Sequence, residues 1–265
     1  MTDLELKFTF LKEKGQKALI PFFTCGYPDE LTFIDLLKIA SDSGADVIEL
    51  GIPFSDPLAD GPSIQHSSQA ALDGGITVNR SLKMMSWLSG ITNLPLVIFT
   101  YANLVYQYGL KRFVLNARGS GISGIIVADL VVEESGLLQR QCSSAGVNLI
   151  HLVAPTSNGS RLERIVAASN GFIYLVSVTG VTGARKTTPV QISSKLKQIR
   201  RFTEKPVCVG FGISNPKQAK QIARFSDGII VGSSIADIIR TGKNKKQVLK
   251  RVSSFLTSLK KGISD

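Results

Sequence analysis

Asp46-Val-Ile-Glu-Leu-Gly-Ile-Pro-Phe-Ser-Asp-Pro-Leu-Ala-Asp-Gly-Pro62 is a short apolar strand that runs straight into a Pro/Gly-bounded loop. Its reading as a strand and its exit decides the fold, because the same kind of unit recurs along the chain. The strand carries one carboxylate, Glu49, at an otherwise hydrophobic position, and the loop carries two more, Asp56 and Asp60. Burying an ionised carboxylate is costly unless it is paired or neutralised. A glutamate at the exit end of a parallel strand therefore points to acid–base chemistry.

Outward from this stretch, short β-branched runs alternate with helical patterns. Strands are expected at 18–25, 46–52, 94–101, 124–130, 148–154, 171–178, 206–211 and 228–231. Helical patterns fall at 30–43, 110–117, 133–145, 161–168, 193–201 and 216–224, and a last one at 245–259 sets Val248, Val252, Phe255 and Leu259 on one face. Eight such units over 1–265, with no long linker, predict a single (β/α)8 TIM barrel domain, an open doubly wound sheet being the alternative. Extra helices are expected before the first strand (4–14) and, inserted after the second, at 63–73. Barrel active sites are built from strand ends and βα loops at the C-terminal face, which is where Glu49, Asp56 and Asp60 would lie.

Composition is that of a soluble globular enzyme, with 43% hydrophobic and 19% charged residues. No apolar run reaches the length of a membrane span, and the acidic, amphipathic start Met-Thr-Asp-Leu-Glu-Leu-Lys has no secretory core, so an intracellular protein is expected. Cys25, Cys142 and Cys208 are odd in number and lack metal-ligand spacing, so neither a disulfide framework nor a metal site is expected. The net charge of +11 lies mainly in 195–201, 217–224 and 240–261, at spacings that read as solvated helix faces. No aromatics are interleaved for base stacking, which argues against nucleic acid.

Two late strand exits, Val209-Gly-Phe-Gly-Ile213 and Val231-Gly-Ser-Ser-Ile-Ala-Asp237, carry glycines that let backbone N–H groups approach a ligand. Ser233 or Ser234 would cap a short following helix. Barrels commonly hold phosphate after strands seven and eight, so a phosphate site is expected there. The long Gly/Thr-rich loop 178–189 reads as a lid beside it.

Glu-Leu-Gly-Ile-Pro-Phe-Ser-Asp-Pro-Leu-Ala-Asp-Gly-Pro (49–62) resembles the signature of the tryptophan synthase α subunit family, as do Tyr-Ala-Asn (101–103), Gly-Val-Thr-Gly-Ala (180–184), Gly-Phe-Gly-Ile (210–213) and Gly-Ser-Ser-Ile (232–235). The resemblance runs in family order over nearly the whole chain. It implies a carbon–carbon lyase of tryptophan biosynthesis that cleaves indole-3-glycerol phosphate to indole and glyceraldehyde 3-phosphate. By that resemblance Glu49 is the general acid and base, in an apolar surrounding to which Val47, Ile48 and Leu50 contribute, and Asp60 accepts the indole N–H. Phe22, Tyr101, Ala128, Leu152 and Tyr174 would line the substrate pocket, and Thr182 would order Asp60. Gly183, Phe211, Gly212, Gly232 and Ser233 would hold the phosphate. Phe54, Asp56, Pro57, Asn103 and Asp129 would meet a β subunit in an α2β2 heterotetramer, which receives the indole and carries the pyridoxal phosphate; no cofactor is expected in this chain. A catalytically weak activator or scaffold of that partner is the alternative. The family's setting implies the cytoplasm, or a plastid stroma if the copy is organelle-encoded.

Three positions depart from the family's usual pattern: Val131 for Pro, His151 for an apolar residue or Pro, and Tyr27 for Asp. A strand histidine such as His151 reads as a satisfied structural residue, and His66 as a surface one.

Overall fold

The computed structural model describes residues 1–176, 189–210 and 212–264. The strands are β1 (Ala18–Thr24), β2 (Ile48–Gly51), β3 (Leu96–Thr100), β4 (Ile122–Val127), β5 (Asn148–Ile150), β6 (Leu152–Val153), β7 (Ile173–Val176), β8 (Val207–Gly210) and β9 (Gly228–Val231). They pair in parallel in the order β5-β4-β3-β2-β1-β9-β8-β7-β6. The two ends of that order are consecutive in the chain, so the sheet closes into a TIM barrel.

The fifth expected strand is thus split in two by His151. Its backbone N–H turns to Ser169 Oγ at 3.2 Å, below it β5 pairs with β4, and above it β6 pairs with β7. The side chain is buried, which holds its imidazole down to about 4 by desolvation, and Nε2 makes no hydrogen bond among the described residues. His151 is therefore structural but not fully satisfied. His66 is exposed, as expected.

The helices are α1 (Asp3–Glu13), α2 (Glu30–Asp42), α3 (Pro62–Asp73), α4 (Val78–Ser89), α5 (Ala102–Tyr108), α6 (Leu110–Gly119), α7 (Gly136–Ala145), α8 (Gly159–Ala168), α9 (Pro189–Arg200), α10 (Pro216–Ala223), α11 (Ser233–Arg240) and α12 (Lys245–Ser264). Thr2 starts α1 through a capping box with Glu5, and Asp29 starts α2 by accepting from Thr32 N at 2.9 Å. The extra helix before the barrel and the one inserted after β2 are both present, as α1 and α3. Sequence reading missed α4 and the short α5. The pattern at 133–145 begins later than expected, because residues 131–135 form i→i+3 turns before α7 proper. On α12 the buried stripe is Val248, Val252, Leu256, Leu259 and Ile263, with Phe255 only half-buried at its edge.

Strand alternation divides the core into two layers. Leu19, Phe23, Ile48, Leu50, Ile98 and Val209 face the helices. Ile20, Phe22, Val47, Val97, Phe99, Ile150, Tyr174 and Cys208 fill the barrel, and Leu4, Phe8 and Leu11 of α1 pack against them. Phe8 meets Phe172 with ring centroids 5.5 Å apart, closing the N-terminal mouth. All three cysteines are buried as free thiols.

One basic run departs from its expected solvated face. Lys195 is buried between α8 and α9, and its Nζ donates to the Ser157 carbonyl, to Asn158 Oδ1 at 2.8 Å and to Gln198 Oε1 at 3.2 Å. Its long stem makes burial tolerable, and the three acceptors replace water around the ammonium. Lys195→Met is expected to strand these acceptors at about 1–3 kcal/mol, lowering the Tm by about 2–4 °C per kcal/mol. An unchanged melting curve would contradict that account.

Candidate active site

Register places Glu49 beside Phe22 of β1 and Val97 of β3, in the layer that points into the barrel. Glu49 is 1% exposed and its Oε2 makes no hydrogen bond among the described residues. Val47 shares that interior. Ile48 and Leu50 do not, because neighbours on a strand point to opposite faces, and both pack on the helices. The apolar wall beside Glu49 comes instead from Phe22, Phe99 and Ile230, which with Tyr174 line a cavity of about 230 Å³.

Asp60 reaches the same cavity from the loop after β2 and is 5% exposed. A turn closed by Asp60 N–H donating to the Pro57 carbonyl at 2.9 Å brings it there. Tyr101 Oη donates to Asp60 Oδ2 at 2.8 Å, while Phe54 lies against the Tyr101 ring at 5.1 Å between centroids.

These surroundings separate the two acids. Burial, aided by the negative charge of Asp60, pushes the Glu49 carboxyl up to about 8. Burial raises Asp60 only to about 6, because the Tyr101 hydrogen bond favours its ionised form. At neutral pH Glu49 holds its proton and Asp60 does not. The hydroxyl of Tyr174 is pushed well up by burial and by both carboxyls, so it stays protonated beside them.

The Glu49 shift has a consequence for stability. An unfolded glutamate ionises near 4.3, whereas the folded one stays neutral to about 8, so rising pH across that window favours the unfolded chain. Asp60 adds the same trend up to about 6. Glu49→Gln is expected to flatten the fall of Tm between pH 5 and pH 8 and to melt higher than wild type at pH 8. Parallel Tm–pH curves for the two proteins would rule out a neutral Glu49.

The far wall of the cavity is made by Gly212, Ile213, Val231, Gly232 and Ser233. Gly212 adopts φ +77°, which favours glycine. Gly232 begins α11 without a side-chain cap, so this N-terminus offers unpaired N–H groups and the positive end of the helix dipole to the cavity. At Gly51, on the Glu49 strand, a Cβ would collide with the Phe22 ring, so that glycine makes room for the ring in the cavity wall.

Of the expected pocket residues, Phe22, Glu49, Asp60, Tyr174, Gly212, Gly232 and Ser233 line this cavity. Tyr101 touches it through Asp60. Ala128 and Leu152 pack on the barrel interior but do not line the cavity. Thr182, Gly183, Phe211 and most of the expected lid lie outside the described residues. Sequence reading missed Ser63, Ile64, Phe99 and Ile230 in the lining. Phe99 and Ile230 could have been found by counting alternate positions along β3 and β9. Asp56, Asn103, Asp129 and Val131 are exposed near these strand exits, with Phe54 and Pro57 half-buried. Asp129 Oδ1 also accepts the Ala102 N–H at 2.8 Å, fixing the start of α5. Among the described residues no cluster of acids, histidines and cysteines could hold a metal, and no helix is long and apolar enough to cross a membrane.

Fold and site together define an enzyme of the TIM-barrel class, with two carboxyls of opposed protonation at the catalytic end. The model of the family described as "Tryptophan synthase alpha chain" matches residues 8–264. The tryptophan synthase alpha chain of Thermoanaerobacter sp. is 44% identical over 260 residues, covering 98% of this chain and 99% of its own. That of Picosynechococcus sp. is 44% identical over 265 residues and 100% of each chain. The crystal structure of tryptophan synthase subunit alpha from Legionella pneumophila superposes with a TM-score of 0.92 at 32% identity, covering 99% of this chain and 98% of that one. The chain belongs to the tryptophan synthase alpha chain family.

Proposed function

We propose that this barrel, working as a single domain, cleaves indole-3-glycerol phosphate to indole and glyceraldehyde 3-phosphate, with Glu49 and Asp60 as its catalytic groups. The observation that carries the assignment is the cavity itself. A buried carboxyl with an unpartnered oxygen, a second carboxyl held ionised by Tyr101, and an uncapped helix N-terminus all face one apolar space.

The chemistry matches each part. Neutral Glu49 gives its proton to the indole carbon that bears the glycerol chain, which turns the ring into an electron sink. The hydroxyl on the adjacent side-chain carbon then loses its proton to the Glu49 carboxylate and becomes the aldehyde. The carbon–carbon bond breaks and its electron pair restores the aromatic indole. Ionised Asp60 accepts the indole N–H and offsets the positive charge that develops there. Phe22, Phe99 and Ile230 exclude water from the ring, and Gly212, Gly232 and Ser233 receive the phosphate at the α11 N-terminus.

The exposed set Asp56, Asn103 and Asp129, with Phe54, Pro57 and the neighbouring Leu58, is assigned to a tryptophan synthase β subunit in an α2β2 assembly. Pyridoxal phosphate is assigned to that partner rather than to this chain. The cytoplasm, or a plastid stroma, is the compartment this pathway assigns. Retention of both carboxyls in one cavity favours a working lyase over an inactive activator of the β subunit. The test is indole release from indole-3-glycerol phosphate by the purified chain, alone and with a β subunit. Release in either condition supports the assignment, and none in both defeats it.

A further inference from the structure

α3 begins two residues after Asp60; it fully buries only Ser67, Ser68 and Ala71, with Ile64 and Ala70 partly buried against the core. The fully buried side chains are small, so they withdraw only modest apolar area from water. Hydrogen bonds add to its docking. Ser67 Oγ and Thr24 Oγ1 of β1 share one of 2.6 Å, and Gln65 Nε2 donates back to the Asp60 carbonyl at 2.9 Å. At the end nearest the cavity, the Ser63 hydroxyl donates to Asp237 Oδ1 at 3.0 Å. Asp237 lies on α11, one turn beyond Ser233, and α3 packs along that helix. α11 is in turn fixed to the β8 exit by Ser234 Oγ, which donates to the Ile213 carbonyl at 3.0 Å.

We propose that Asp237 is a positioning residue: through Ser63 it straps the Asp60 loop to the helix that receives the phosphate, so that phosphate docking and the placement of Asp60 become one event. This rests on the assignment of Asp60 and the α11 N-terminus above, and it adds two residues to which that assignment gives no role in catalysis. The strap makes a displacement of α11 by a bound anion move α3, and α3 carries Asp60 at its head. Asp237 also brings a cost. Its carboxylate lies one turn inside a helix whose N-terminus attracts an anion, and it opposes that attraction. Arg240 sits 3.2 Å from the same oxygen, but the pair is about half exposed and offsets little. A neutral acceptor at position 237 would keep the strap and remove the repulsion.

The experiment uses the full chain and measures kcat, KM and the inhibition constant of inorganic phosphate. Asp237→Ala is expected to lower kcat about fivefold or more without weakening phosphate inhibition, since interactions made only in the transition state appear in kcat. Asp237→Asn keeps kcat within about twofold of wild type and tightens phosphate inhibition by about twofold. Ser63→Ala matches Asp237→Ala, and the double variant loses no more than either single one, because both act on one bond. Thermal melting checks that each variant is folded. Hydrogen exchange supplies a readout independent of turnover: inorganic phosphate slows the amides of Gly61 and of residues 63–66 in wild type and not in Asp237→Ala. Losses that multiply in the double variant, an Asp237→Asn as impaired as Asp237→Ala, or equal phosphate protection in wild type and Asp237→Ala would each overturn the strap. A wild type that releases no indole, alone or with a β subunit, defeats the lyase assignment instead, and the exchange comparison still decides the strap.

Discussion

Glu49→Gln lowers the rate of indole release by at least about 10²-fold and leaves KM for indole-3-glycerol phosphate within a few-fold. The amide keeps the size and much of the polarity of the carboxylic acid, so the cavity and the contacts to Phe22, Phe99 and Tyr174 persist. It cannot give up a proton at the ring carbon or take one from the hydroxyl. Among the described residues the barrel offers no ready substitute, since Tyr174 is held protonated and Asp60 is engaged by Tyr101. Steady-state kinetics of wild type and variant at one pH decide the matter. Near-normal turnover in the variant would remove Glu49 from its role, and a large rise in KM with normal kcat would make it a binding group.

Asp60→Asn costs about 10²–10³ in kcat, the scale of losing one electrostatic contact to charge that develops in the transition state. Its pH profile separates this loss from a misfolded site. In wild type, activity falls below about 6, where Asp60 takes up a proton, and above about 8, where Glu49 loses one. In the variant the acid limb from Asp60 disappears. The alkaline limb moves to lower pH, because the negative charge that helps keep Glu49 protonated is gone. An alkaline limb that stays in place would show that the two carboxyls do not act on each other.

Much of this was legible in the chain because period-two burial and strand spacing are local properties. The strand that carries Glu49, the βα rhythm and the glycines at 212 and 232, which line the cavity, all fall where the pattern puts them. What escaped depended on contacts between distant segments. Lys195 looks solvated on its own helix and becomes buried only because Ser157 and Asn158 of the preceding unit wrap its ammonium. The split at His151 arises from Ser169, eighteen residues further on, capturing a backbone N–H. Of the sequence neighbours expected to supply part of the apolar wall around Glu49, Val47 shares the interior, whereas strand geometry turns Ile48 and Leu50 away and brings in Phe99 and Ile230 from other strands. Asp237 offered no sequence signal, since its partner Ser63 lies on the far side of the chain's numbering.

The N-terminal helix gives the barrel a floor. With Leu4, Phe8 and Leu11 packed on the barrel interior and Phe8 against Phe172, the described residues close the N-terminal end, and the cavity lies at the strand exits. Under the proposed cleavage, reactant entry and the departure of both products share that strand-exit rim. The three-carbon phosphate proposed for the α11 side and the indole proposed for the Asp60 side then leave in turn or by separate sectors of it. Whatever covers the sector over Asp56 and Asn103 would decide where the indole goes, so the helix at the bottom of the molecule bears on traffic at its top.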